Sequence, residues 1–338
     1  MTAAAGSSDV GRHHARGEAG TGAKAAAAGR PVSGEPVDGE AGTGTAVGEA
    51  GMAVSTRALS KHYGSLCALD GLDLDVAPGS VYGVIGPNGA GKSTTFAVLA
   101  TLLKPTSGSA RVFGIDPVSE PREVRARIGF MPDVMGVYDR LRVDEYLEFH
   151  AAAYGVPRSE WPELVSGLLA LVDLDVKTDS MVDDLSRGMK QRLSLARCLV
   201  HDPDLLILDE PASGLDPRAR IEFRELLAEL RRMGKTILVS SHILSELEQM
   251  CTDIAVIEAG RLLASGEPRS ILDRLGGARR VTVRFAGGET AGYPVADEAA
   301  QAALLRSLVA EGREVVEFTL DKQGLEELFL QITEGIVQ

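Results

Sequence analysis

The segment Gly86-Pro87-Asn88-Gly89-Ala90-Gly91-Lys92-Ser93 fits the pattern GxxxxGK[ST]. Its glycines let the backbone wind tightly, so that successive N–H groups converge on phosphate oxygens. Lys92 adds a point charge near the outer phosphates and Ser93 offers a hydroxyl to Mg²⁺. A helix opening at the same place turns its positive end toward the anion. Asp209 and Glu210 follow the apolar run Leu205–Leu208. There Asp209 can hold Mg²⁺, directly or through water, and Glu210 is placed to polarise an attacking water. His242 follows the run 236–239 and Ser240-Ser241. It can bond a terminal phosphate and so report its presence, though a lone histidine is as readily structural or exposed. Leu185-Ser186-Arg187-Gly188-Met189 precedes an amphipathic helix that starts near Met189. Ser186 can be only an N-cap, or it can form a second anion site with the free helix N–H groups. Within one chain that second site has no evident phosphate to bind.

These residues require elements that carry them to one edge. Val81–Ile85, Leu205–Leu208 and 236–239 are short, almost wholly aliphatic runs, each followed at once by glycine or polar residues. That is the pattern of strands buried on both faces of a parallel sheet, with ligands beyond their carboxyl ends. The spacing predicts a helix over 92–103 after the glycine loop. A second helix starts at Asp216, a cap, with Pro217 at its first position. Its buried stripe is read as Ile221, Leu226, Leu227 and Leu230, and Gly234 ends it. Residues 134–198 read as a mostly helical lobe. Beyond 278, Val281, Val283 and Phe285 alternate with polar residues as a strand, 315–320 reads as another, and Leu325, Leu328, Phe329 and Ile332 mark an amphipathic terminal helix.

Composition sets the frame for these elements. Residues 1–52 are rich in Ala, Gly, Thr and Glu without apolar periodicity, and are expected to be a disordered extension. The main domain is expected over 53–277 and a small α+β accessory domain over 278–338. A chain of 338 residues with 44% hydrophobic content can bury a core without disulfide or metal staples. Its net charge of −13 argues against nucleic acid as the main partner. Cys67, Cys198 and Cys251 lack metal-ligand spacing and read as reduced, packed thiols. No apolar run reaches the ~20 residues of a membrane-spanning helix, and the N-terminus lacks the apolar core of a secretion signal, so a cytoplasmic protein is expected.

Together the motifs resemble the nucleotide-binding domain of ABC-type ATPases, over 53–277 and in that family's order. Residues 86–94, Thr94 included, match Walker A; 185–188 match the signature sequence; Leu205–Leu208 with Asp209 and Glu210 match Walker B and its catalytic glutamate. Ser213-Gly214-Leu215-Asp216 matches the D-loop, His242 the switch histidine, and Tyr63, before Gly64, the aromatic that stacks on adenine, although an aromatic there could equally be a core residue. The resemblance implies an α/β fold: a RecA-like P-loop NTPase core with an antiparallel β subdomain and a helical subdomain. The antiparallel part is not derivable from the patterns themselves. It further implies an ATPase using ATP and Mg²⁺, paired head to tail with a second ATP-binding subunit, so that Ser186 and Gly188 bind the γ-phosphate held by the partner subunit. A separate transmembrane permease would place it on the inner face of the cell membrane.

Two motifs depart from the family pattern. Arg187 replaces the first signature glycine (and Met189 the usual glutamine), a change that costs little if its φ is negative. Asp133, after Ile128-Gly129-Phe130-Met131-Pro132, stands where the family has a glutamine, and a carboxylate there can still ligate Mg²⁺. The segment Leu325-Glu326-Glu327-Leu328-Phe329-Leu330 resembles the tail of ATP-binding subunits of bacterial ABC-2 exporters. The alternatives are a soluble ABC-family factor acting on ribosomes or DNA, disfavoured by the single signature and acidic balance, and a weakly hydrolysing regulatory module.

Overall fold

The computed structural model describes residues 51–134, 136, 140–268, 270–271 and 279–321. The expectations for residues 1–50 and for a terminal helix through Leu325, Leu328, Phe329 and Ile332 lie outside the described residues.

A six-stranded sheet runs β5–β6–β7–β3–β8–β9, formed by Ile128–Met131, Leu205–Leu208, Thr236–Ser241, Val81–Ile85, Asp253–Glu258 and Arg261–Gly266 in that spatial order. All neighbours are parallel except β9, which turns back antiparallel to β8. β3 and β6 are wholly buried, because each supplies both faces of the sheet. Val81 and Ile85 pack with Leu206, Leu208, Ile237 and Val239 on one side, beneath the helices. Tyr82 and Val84 pack with Leu205, Ile207 and Leu238 on the other. The period of two in a pleated strand makes this division, so a continuous aliphatic run is what the position demands.

The second face is covered by α1 (Lys92–Leu99) and by an antiparallel sheet, β2–β1–β4, from Leu66–Val76, Val54–Tyr63 and Ser107–Val112. α1 is shorter than its apolar pattern predicts. Thr101 takes φ 64, Leu102 N–H donates back to the Ala97 carbonyl, and Leu102 is left 65% exposed. Between 143 and 199 come α3 (Val143–Ala153), α4 (Trp161–Leu171) and α5 (Arg187–Leu199), joined by short 3₁₀ turns. α2 (Pro121–Arg127) leads directly into β5.

α6 (Pro217–Arg232) begins as expected: the Asp216 carboxylate accepts from Ala219 N–H at 2.9 Å, and Pro217 occupies the first turn. It ends before Gly234, which takes φ 90. Its buried stripe is a correction. Ile221 is 47% exposed, and Phe223 joins Leu226, Leu227 and Leu230 in the core. Those four form the i, i+3, i+4, i+7 set of one helix face, and Ile221, two residues before Phe223, falls on the opposite side. α7 (Leu244–Met250) follows β7.

The C-terminal part is a three-stranded antiparallel sheet, β11–β10–β12, from Thr290–Val295, Arg279–Phe285 and Val315–Asp321. α8 (Glu298–Ala310) buries Leu308 against Val281, Val283, Phe285 and Val295. Sequence periodicity indicates β10 and β12 but neither β11 nor α8. Thr290–Val295 contains Gly292 and Pro294, which break a strand pattern.

Candidate functional site

β5, β6, β7 and β3 are adjacent and parallel, so their carboxyl ends form one edge. Leaving that edge are Pro132-Asp133 after β5, Asp209-Glu210 after β6, His242 after β7 and the glycine loop after β3. The loop from Gly86 closes on Gly91, which takes φ 108 and opens α1. A Cβ at Gly91 would lie 2.7 Å from the Ala68 carbonyl oxygen, and one at Gly86 would lie 2.2 Å from that of Ile257. Both positions therefore need glycine, by conformation at Gly91 and by close backbone approach at Gly86.

Lys92 is 6% exposed, and its ammonium donates to the Gly86 carbonyl at 2.7 Å. It also lies 3.5 Å from Glu210 Oε1. Glu210 Oε2 in turn lies 2.7 Å from His242 Nδ1. The Glu210 carboxylate is thus held between a cation and an imidazole at the mouth of the loop. Glu210 adopts φ 49, an unfavourable region for a residue with a Cβ. Ser240 offsets that cost. Its hydroxyl accepts from Glu210 N–H at 2.8 Å and donates to Asp209 Oδ1 at 2.6 Å. Ser240 was not among the residues singled out from sequence. The available signal was a polar pair, Ser240-Ser241, at the end of an apolar run; that Ser240 lies inside the strand, wholly buried, needed the structure. Gln191, also buried, donates its side-chain amide to the Pro211 carbonyl and fixes the turn that leaves Glu210.

A cleft of about 300 Å³ is lined by Tyr63, Pro87, Asn88, Gly89, Ala90, Gly91, Lys92, Ser93, Thr94, Asp133 and Glu210, with Leu66, Cys67 and Ala68. Tyr63 is 48% exposed at the end of β1, with the Lys61 ammonium over its ring at 5.2 Å from the centroid. Gly86, Asp209 and His242 do not line the cleft: the Gly86 carbonyl accepts from Lys92, Asp209 is 5% exposed, and His242 contacts Glu210. The remaining sequence-predicted residues are elsewhere. Ser186, Gly188 and Asp216 line a separate cavity of about 250 Å³ with Arg187, Gly214 and Leu215. There Ser186 caps α5, accepting from Met189 N–H at 3.3 Å, and Asp216 is occupied in capping α6. Helix α5 begins at Arg187, two residues earlier than the sequence indicates, and this gives Arg187 the negative φ at which a side chain is tolerated. Asp133 lies on the walls of two hollows: the cleft, and one shared with Leu185, Arg187, Lys190, Gln191 and Ser213.

The donor set fits a hard divalent cation. Ser93 hydroxyl, Asp209 and Asp133 supply oxygen only, the ligand type such a cation takes. One or two carboxylates with water retained is how Mg²⁺ is bound beside phosphates.

The profile of the family described as ABC transporter matches residues 69–213. The chain is 41% identical over 217 residues to Nod factor export ATP-binding protein I of Cupriavidus metallidurans, covering 64% of this chain and 72% of that one. To the protein of the same name in Rhizobium meliloti it is 39% identical over 226 residues, 67% of this chain and 68% of that one. Among solved structures, an ATP-binding subunit of an ABC transporter superposes with a TM-score of 0.60 at 31% identity, over 66% of this chain and 93% of the other. CbiO1 of Clostridium perfringens, part of the ABC transporter complex cbiONQ, gives 0.61 at 28% identity, over 66% and 91%. A glycine loop, a carboxylate pair and a histidine at one sheet edge, in a chain with these relatives, have one reading: the chain belongs to the ABC transporter family and is an ATP-binding subunit with ATPase activity.

Proposed function

We propose that this subunit binds MgATP in the cleft, closes against a second ATP-binding subunit, hydrolyses the nucleotide and drives a separate permease in export. The observation that carries the proposal is the separation of the two anion-binding elements. Lys92, Ser93 and Glu210 act on one cleft, whereas Ser186 and Gly188 open on a different cavity of the same chain. A signature that faces no phosphate of its own chain is complementary to the phosphate held by another. Head-to-tail pairing puts both elements on each ATP, and the nucleotide then favours the closed geometry by contacting both subunits.

In this reading the N–H groups of residues 87–94 and the Lys92 ammonium bind the phosphates, and Tyr63 stacks on adenine. Ser93, Asp209 and Asp133 hold Mg²⁺, which supplies charge neutralisation at the phosphate oxygens. Glu210 orients and polarises the water that attacks the γ-phosphorus. His242 steadies Glu210 and bonds the γ-phosphate. As nucleotide enters, its phosphates replace Glu210 as the partner of Lys92, which frees the carboxylate for water.

The permease partner is supported by an apolar surface beside the site. Leu102, Phe149 and Tyr154 are exposed, and Leu102 and Tyr154 line a hollow together with Phe130 and His150. Phe130 belongs to β5, whose next residues run to Asp133 at the nucleotide cleft, so an occupant of this hollow bears directly on the site. Among the described residues no helix is long and apolar enough to cross a membrane. The subunit would sit on the inner face of the membrane through that partner. Its relatives are named for Nod factor export, which supports the direction of transport.

Glu210→Gln tests the proposal. It keeps the shape of the side chain and removes the carboxylate, so it should retain ATP binding, nearly abolish turnover and trap an ATP-dependent dimer in gel filtration. Turnover at the native rate, or a monomer at saturating MgATP, would overturn it.

A further inference from the structure

Two of the positions at which the site leaves its family's pattern, Asp133 and Arg187, line the same hollow, of about 560 Å³, between the end of β5 and the start of α5. Both side chains are exposed, and neither has a hydrogen-bond or ion-pair partner among the described residues. The other charged and amide groups around them are taken. Lys190, on the same wall, donates to the Asp183 carbonyl, and Gln191 to that of Pro211. Lys92, across the nucleotide cleft, is neutralised by Glu210. One carboxylate and one guanidinium are left facing a common space.

We propose that Arg187 is a positioning residue that acts through Asp133, the two forming an electrostatic pair that joins the strand-end loop of the nucleotide cleft to the signature helix of the same chain when the hollow narrows. The inference rests on the reading of the cleft and signature given above. An aspartate is shorter than the glutamine it replaces, and an arginine is far longer than the glycine it replaces. The reach lost on one wall is therefore regained on the other. Arg187 has a second tie to the site. Its guanidinium lies over Gly214, so that a Cβ built there would meet it at 2.4 Å. Gly214 belongs to the turn leaving Glu210, in which Ser213 N–H donates to the Glu210 carbonyl at 3.0 Å. The pair thus connects three segments: the loop after β5, the start of α5 and the turn after β6. Charge at Asp133 is then sensed at the signature, and the signature's position is sensed at Glu210.

A double-substitution cycle decides it, using the full chain with Asp133→Asn, Arg187→Gln and both together. Asp133→Asn keeps side-chain shape and removes charge; Arg187→Gln removes charge and shortens the side chain while keeping it polar. Steady-state kcat and KM for ATP are measured, with the dissociation constant of a fluorescent ATP analogue as a readout independent of turnover. Each single substitution should lower kcat, and the double variant should be about fivefold more active than the product of the single effects predicts, the coupling of a partly exposed ion pair. The coupling should shrink as KCl is raised, since the pair is open to solvent. Single effects that simply multiply, or a coupling insensitive to salt, would overturn the pairing. Failure of the underlying reading looks different: the unsubstituted protein would then lack MgATP-dependent turnover altogether.

Discussion

Ser240 is the residue through which the fold sets Glu210, the carboxylate we propose as catalytic, and Ser240→Ala measures how much that matters. The substitution removes one oxygen from a site with 0% exposure, where water cannot readily replace it. Two bonds are lost, from Glu210 N–H at 2.8 Å and to Asp209 Oδ1 at 2.6 Å. A buried unsatisfied N–H costs about 1–3 kcal/mol, and a hydroxyl bond to a carboxylate contributes about 1.5–3 kcal/mol. Some of that is recovered, because Glu210 is released from φ 49 and relaxes toward a commoner conformation. A net loss of about 2 kcal/mol follows, which for a unit of this size lowers Tm by about 4–8 °C. Relaxation at Glu210 also carries its carboxylate away from Lys92 and His242. At about 1.4 kcal/mol per factor of ten, kcat should fall roughly 10- to 30-fold. KM for ATP should change far less, since the glycine loop is untouched. The assay is steady-state phosphate release against ATP at saturating Mg²⁺, with a thermal melt on the same preparation. A kcat within twofold of the native value, alongside a lowered Tm, would refute the argument and reduce Ser240 to a packing residue.

Gly91→Ala should abolish nucleotide binding, because φ 108 is closed to alanine and its methyl would sit 2.7 Å from the Ala68 carbonyl oxygen; undiminished binding of a fluorescent ATP analogue would contradict this. Leu227→Ala should cost about 2–5 kcal/mol in denaturant unfolding and Ile221→Ala less than about 0.5 kcal/mol, and the reverse order would show that the face of α6 is misread. His150 carries the pH dependence. Burial, then the nearby Arg197, lowers its pKa from 6.5 to about 4, so between those values the unfolded chain binds a proton that the folded chain does not. Stability is therefore full above pH 6.5 and falls on acidification toward pH 4, by about 1–2 kcal/mol after discounting for partial exposure. His150→Gln should flatten that part of the Tm profile, and an unchanged slope would refute the assignment.

Much of the site is legible in the sequence because its parts are local. A phosphate loop is a run of adjacent residues whose glycines and lysine are specified by backbone conformation and charge, so residues 86–94 carry their own signature. The aliphatic runs that lead to Gly86, Asp209 and Ser240 likewise declare buried strands, since burial on both faces favours apolar side chains. The caps Ser186 and Asp216 are legible for the same reason: they satisfy N–H groups two or three residues away.

What the sequence alone could not supply depends on residues distant along the chain. The pairing of β1 with β2 and β4, and the insertion of β3 between β7 and β8, follow from long-range sheet assembly and leave no periodic mark. Ser240 becomes a support for Glu210 only because β7 lies beside β6; thirty residues separate them in sequence. Ile221 is a different case: helical period alone already sets it opposite Phe223, Leu226, Leu227 and Leu230. Asp133 and Arg187 are isolated departures from a pattern when read along the chain. Tertiary packing sets β5 against α5, places the two charges on one hollow and leaves both unpaired among the described residues, because only a folded chain fixes which charges are already taken.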